Sequence, residues 1–159
     1  MFFSRQAIYI LVYNLSKGLN AKASPCARQG IGEIRMENPN DETNMENLLS
    51  WLSTVHSTTL PPATVKEDAT DNRHYLPPPV IIVGTHADIP HDNVNIKEME
   101  KQIQKKLSKL EYAKHVIRPF FSIDNTKSPL PDDRVLALRN KILEVLKQEP
   151  YMGKKIPIR

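Results

Sequence analysis

Apolar side chains fall along the 159-residue chain in runs of two different periods. Ala7 to Leu15 is β-branched and aromatic without strict alternation and closes at Asn14-Leu15-Ser16-Lys17-Gly18, the pattern of a strand covered on both faces. Val80-Ile81-Ile82-Val83 is a second, wholly apolar strand run, and Val116 to Ile123 a third, interrupted by Arg118-Pro119. Because proline cannot donate to a sheet ladder, the third run belongs at an edge. Between the strands the period lengthens. Met45, Leu48, Leu49, Leu52 and Val55, flanked by Trp51, predict a helix from Asn44 to about His56, opened by a Thr43–Glu46 capping box. Ile96, Met99, Ile103, Leu107 and Leu110 predict another helix starting at Asp92 or Asn93. A last helix from about Asp132 to Lys147 buries Val135, Leu138, Ile142, Val145 and Leu146, with Asp132 and Asp133 at its positive end.

The order β-α-β-α-β-α predicts an α/β fold with a parallel sheet and ligand loops at the strand carboxyl ends. The segments 17–42 and 57–79 read as long connections, the first with a short extended piece at Ile31 to Met36. Thirteen prolines against five glycines, many of them clustered at Pro61-Pro62 and Pro77-Pro78-Pro79, reinforce that reading.

Composition narrows the class. With 40% apolar and 25% charged residues the chain suits one soluble domain, and a single cysteine, Cys26, excludes an intrachain disulfide framework and fits a reducing, cytoplasmic setting. Arg5, the apolar run and Ala21-Lys22-Ala23 imitate a leader peptide, but that run has only about seven residues before Asn14, and Lys17 follows it, so a buried strand is the expectation. The net charge of +4 is uneven: residues 1–79 carry seven Lys/Arg against eight Asp/Glu, residues 80–159 fifteen against ten. Lys101, Lys105, Lys106 and Lys109 share the polar side of one helix, without interleaved aromatics; a solvated face is expected, and no nucleic acid partner. His56, His74, His91 and His115 lack partners at ligand spacing, so no metal site is expected.

The candidate chemistry lies after the second strand. Val80-Ile81-Ile82-Val83-Gly84 runs into Thr85-His86-Ala87-Asp88, and a carboxylate there can accept two hydrogen bonds from N1 and the exocyclic N2 of guanine, which adenine cannot offer. The spacing matches the Asn/Thr-Lys-x-Asp guanine element of small GTPases, with His86 where lysine is usual.

Taken together, these landmarks resemble the second half of a Roc domain, the Ras-like GTPase module of the Roco family. Ala7 to Ser16 resembles its fourth strand, Asn47 to Ser57 the following helix, Val80 to Asp88 the fifth strand with its guanine loop, and Phe121-Ser122-Ile123-Asp124-Asn125 the sixth strand and the loop backing the base. His86 in place of lysine favours Roco proteins over ordinary Ras-like GTPases. Tyr151 to Arg159 resembles the opening of the COR domain that accompanies Roc.

The resemblance implies a three-layer, P-loop-NTPase-like parallel sheet of full order 2-3-1-4-5-6, of which this chain carries strands 4-5-6. It implies a partial Roc domain over residues 1–149 and the start of COR over 150–159. Thr85, His86 and Asp88 would read guanine, and Ser122 and Ile123 would supply backbone N–H groups toward O6. GTP or GDP would be the ligand of the full-length protein, and COR and leucine-rich or other repeats its companions. No Gly-x-x-x-x-Gly-Lys-Ser/Thr occurs in the chain, so neither the phosphate cradle nor the Mg²⁺ site is expected here, and no catalytic residue is assigned. The alternative is a nucleotide-free interaction module, docking a protein partner or a second copy through the helices at 44–56 and 96–111 and the apolar edge of the first strand.

Overall fold

In the computed structural model of the chain, residues 4–30, 32–59, 73–124, 126 and 132–152 are described. Their order is β1 (Tyr9–Asn14), β2 (Cys26–Gln29), β3 (Gly32–Arg35), α1 (Asn44–Thr59), β4 (Val80–Thr85), α2 (Ile96–Leu107), β5 (Val116–Ser122) and α3 (Asp133–Gln148). Single 3-10 turns at His91–Asn93 and Glu111–His115 precede α2 and β5. β1, β4 and β5 form a parallel sheet in the order β1-β4-β5, so the α/β alternation read from the sequence is observed. The run at 80–83 is central and buried throughout, which accounts for its lack of polar positions.

Helices flank both faces. Tyr13, Leu15, Val80 and Ile82 pack with Met45, Leu48, Leu52 and Val55 of α1 and with Met99, Ile103 and Leu107 of α2. On the other face Ile81, Val83, Ile117 and Phe121 pack with Val145 of α3, with Leu138 and Ile142 partly buried beside them. Each helix begins where a side chain takes up its free N–H groups. The Thr43 N–H donates to Glu46 Oε2 (2.8 Å) and the Glu46 N–H donates back to Thr43 Oγ1 (3.2 Å), the reciprocal box expected for α1. Asp132 Oδ1 accepts from the Arg134 N–H (3.1 Å) and opens α3. At the far end of α3 the Glu149 carboxylate, its side chain wholly buried, accepts from Arg73 (3.0 Å) and from the Tyr75 hydroxyl (2.8 Å), tying α3 to the segment that enters β4.

Three expectations are corrected and one, the short extended piece at 31–36, is extended. β1 is covered on one face only: Ile10 and Val12 are 45% and 60% exposed, because α3 packs on β4 and β5 and its core cluster takes in no residue of β1. The short extended piece is one arm of an antiparallel hairpin, β2 with β3; Ile31 itself lies outside the described residues. α2 opens at Asn95, whose side chain accepts from the Lys97 N–H (2.9 Å), while Asp92 belongs to the preceding turn with φ at +49°. Val135 faces solvent. β5 takes the edge position that Pro119 demanded, and its register against β4 shifts between Ile81 and Val83, beside Arg118-Pro119. The part of the second long connection at 60–72, Asn125, and the COR-like residues 153–159 lie outside the described residues.

Candidate functional site

Parallel strands deliver their ligand loops at one end of the sheet, and the three loops that meet there are those following β1, β4 and β5. β4 ends on Gly84-Thr85. Gly84 is required by packing: a Cβ there would come within 2.9 Å of the Leu15 side chain and 3.0 Å of the Tyr13 ring. Thr85 closes the ladder, its carbonyl accepting from the Leu15 N–H (2.9 Å) and its hydroxyl donating to the Tyr13 carbonyl at 3.4 Å.

His86 then adopts φ of +59°, a left-handed conformation that turns the chain sharply off the sheet. Its Nδ1 lies 3.1 Å from Thr85 Oγ1, and its carbonyl accepts from the Ile89 N–H (3.2 Å) to complete the turn. Within that turn Ala87 packs back on the core, while His86 and Asp88 stay exposed. Asp88 therefore stands at the lip of the sheet's carboxyl end as an available acceptor. That is the placement which two-point recognition of adjacent N–H donors requires.

Both neighbouring strands hold this loop. The Ile123 N–H donates to the Gly84 carbonyl (2.8 Å), and the Ala87 N–H donates to the Ile123 carbonyl (3.2 Å), so Ile123 bridges the start and middle of the loop. On the other side the His91 N–H donates to the Leu15 carbonyl (2.9 Å). Thr85, His86 and Asp88 are thus brought together with Ser122 and Ile123. The Ile123 N–H, however, is engaged within the protein and holds the loop instead of pointing into open space. Ser122 pairs with Gly84 at the end of the ladder.

Asp124 is the residue the sequence reading left without a role. It is 5% exposed, and its Oδ1 accepts from the Thr126 N–H (2.9 Å) and from the Thr126 hydroxyl (2.6 Å), forming a side-chain-capped turn just past β5. The Asp-x-Thr spacing is the signal that could have marked it. The loop after β1 is built alike: Asn14 Oδ1 accepts from the N–H (2.8 Å) and hydroxyl (2.7 Å) of Ser16. Beneath the site the Tyr13 hydroxyl is buried with no hydrogen-bond partner among the described residues, and burial, reinforced by the Glu100 carboxylate, pushes its pKa upward.

Among the described residues no cluster of three or more His, Cys, Asp or Glu could hold a metal ion, and no helix is long and apolar enough to cross a membrane. Lys101, Lys105, Lys106 and Lys109 of the α2 segment are exposed, and Cys26 lies exposed on β2. No protein-family model, curated protein or solved structure matches the chain.

Proposed function

We propose that this chain is the guanine-reading half of a Roc-type, Ras-like GTPase domain, of P-loop-NTPase architecture, from a Roco-type signalling protein. The observation that carries the reading is the Thr85-His86-Ala87-Asp88 tetrad at the carboxyl end of the central parallel strand, turned off the sheet by His86 and leaving the Asp88 carboxylate exposed. The open side of β1 supports it, since Ile10 and Val12 are built for an interior strand. Asp88 accepts from guanine N1 and N2, Thr85 and His86 shape the loop, and Ser122 and Ile123 back it. In the complete protein GTP or GDP is held also through its phosphates, with COR following from about residue 150.

Without a phosphate loop, base reading alone leaves affinity on the order of 1 mM or weaker, about 4 kcal/mol. The test is a titration of ¹⁵N-labelled chain with GDP and with ADP to several times that concentration. GDP should shift the amides of residues 85–88, ADP should not, and Asp88→Ala should abolish the difference; phosphate release from GTP should stay at the buffer rate. Equal responses to the two nucleotides, or none to GDP, would overturn the reading.

A second reading, a nucleotide-free interaction module, draws on the same β1 edge. Tyr9 and Leu15 donate to β4-side carbonyls, so alternation turns the backbone groups of Ile10 and Val12 away from the sheet, where a strand from a protein partner or a second copy can pair.

A further inference from the structure

Away from the nucleotide end, two histidines distant in sequence meet. His56 Nδ1 lies 2.9 Å from His115 Nε2, with the rings nearly perpendicular at 73° and their centroids 5.2 Å apart. His56 sits in the last turn of α1, and His115 closes the 3-10 turn that leads into β5. His115 is 2% exposed, and its Nδ1 lies 3.1 Å from the carbonyls of both Leu76 and Pro78, in the segment entering β4. Carbonyls only accept, so His115 Nδ1 carries its proton and Nε2 presents a lone pair. His56 must then donate its Nδ1 proton to that lone pair. Both rings are fixed in the Nδ1–H form, the arrangement that satisfies this buried chain of polar atoms.

We propose that the His56–His115 pair is a proton-gated latch between the end of α1 and the segment that feeds the central strand. One proton can be added, at His56 Nε2, without breaking the bond between the rings. A second proton can go only to His115 Nε2, where it removes the acceptor, sets two N–H groups against each other and brings two cationic rings into contact at a part-buried site. The intact latch therefore holds at most one proton, and the second opens it, releasing the end of α1 from His115, whose Nδ1–H still donates to the Leu76 and Pro78 carbonyls ahead of β4.

Among the described residues the surroundings offer no compensating charge. On the 3-10 turn Glu111 and Lys114 are exposed, and the Tyr112 ring lies 6.1 Å from the His56 ring. In the segment entering β4, His74 is exposed, while Arg73 and Tyr75 bind Glu149. Arg118, the nearest charge on β5, is exposed. Burial accordingly holds the His115 imidazole below the usual histidine range; the positive charge of His56 acts the same way, against the two carbonyls that favour protonation.

Below about pH 6.5 an unfolded chain protonates the His115 ring, while the intact latch keeps the proton off its Nε2, so the latch's stabilisation is complete above that pH and is lost as pH falls beneath it. The experiment has two arms. Long-range ¹H–¹⁵N spectra of the imidazoles at pH 8 should show both rings protonated at Nδ1, the minor form of free histidine. Denaturant unfolding between pH 7.5 and 5 should show similar slopes above about pH 6.5 and, below it, the folding equilibrium constant of the wild type falling about tenfold more per pH unit than that of His115→Asn, one proton's difference. Either ring protonated at Nε2 at pH 8, or equal pH slopes in the two proteins, would overturn the latch. If His115→Asn fails to fold, the wild-type spectra decide alone.

Discussion

The two edges of the sheet are built in opposite ways. At β5 the chain presents Pro119, which has no N–H, and Arg118, whose guanidinium lies 5.5 Å from the Phe120 ring centroid; α3 covers the inner face and is held by buried Glu149. Those are the devices by which a true outer strand avoids pairing with a neighbour. At β1 the outward backbone positions are Ile10 and Val12, whose side chains also stand exposed on the face that α3 leaves bare. One edge is closed to pairing and the other is open, which is what the proposed Roc reading expects of strand 4.

The comparison can be broken by substitution. The largest contrast is expected from Phe121→Ala on the finished side, which should cost about 3–5 kcal/mol in denaturant unfolding, since Phe121 is 8% exposed within the α3-side core. Between the edges, Gly84→Ala should cost about 1–3 kcal/mol by driving a methyl group against Leu15 and Tyr13, and it should also disturb the loop at 85–88. Smallest is Val12→Ala, expected within about 0.5 kcal/mol because the side chain is 60% exposed. Val12→Lys should be as mild for stability but should lower concentration-dependent self-association in sedimentation; a cost for Val12→Ala comparable to that of Phe121→Ala would mean that β1 is already covered.

Sequence pattern carried the interior well, because period and burial are coupled wherever a partner is present. Met45, Leu48, Leu52 and Val55 pack as their spacing requires, and Thr43 with Glu46 forms the box its order implies. The same logic misled at β1: a continuous apolar run states what a strand is suited to, not whether anything covers it. The start of α2 was ambiguous because Asp92, Asn93 and Asn95 are all good caps, and only Asn95 precedes continuous helical geometry. β2 was hidden because Cys26–Gln29 is short and has no apolar alternation. At the site the tetrad was legible from strand plus motif. The engagement of the Ile123 N–H was not, since it depends on a register that shifts between Ile81 and Val83. Nor was the His56–His115 contact, which joins residues 59 apart through tertiary packing.

Amide hydrogen exchange along β1 in dilute solution tests the unfinished edge most directly. Leu11 and Tyr13, whose N–H groups face β4, should exchange slowly, and Ile10 and Val12, whose N–H groups face outward, should exchange fast. Uniform protection across all four residues would show the edge to be paired and would contradict the view of β1 as the cut surface of a larger sheet.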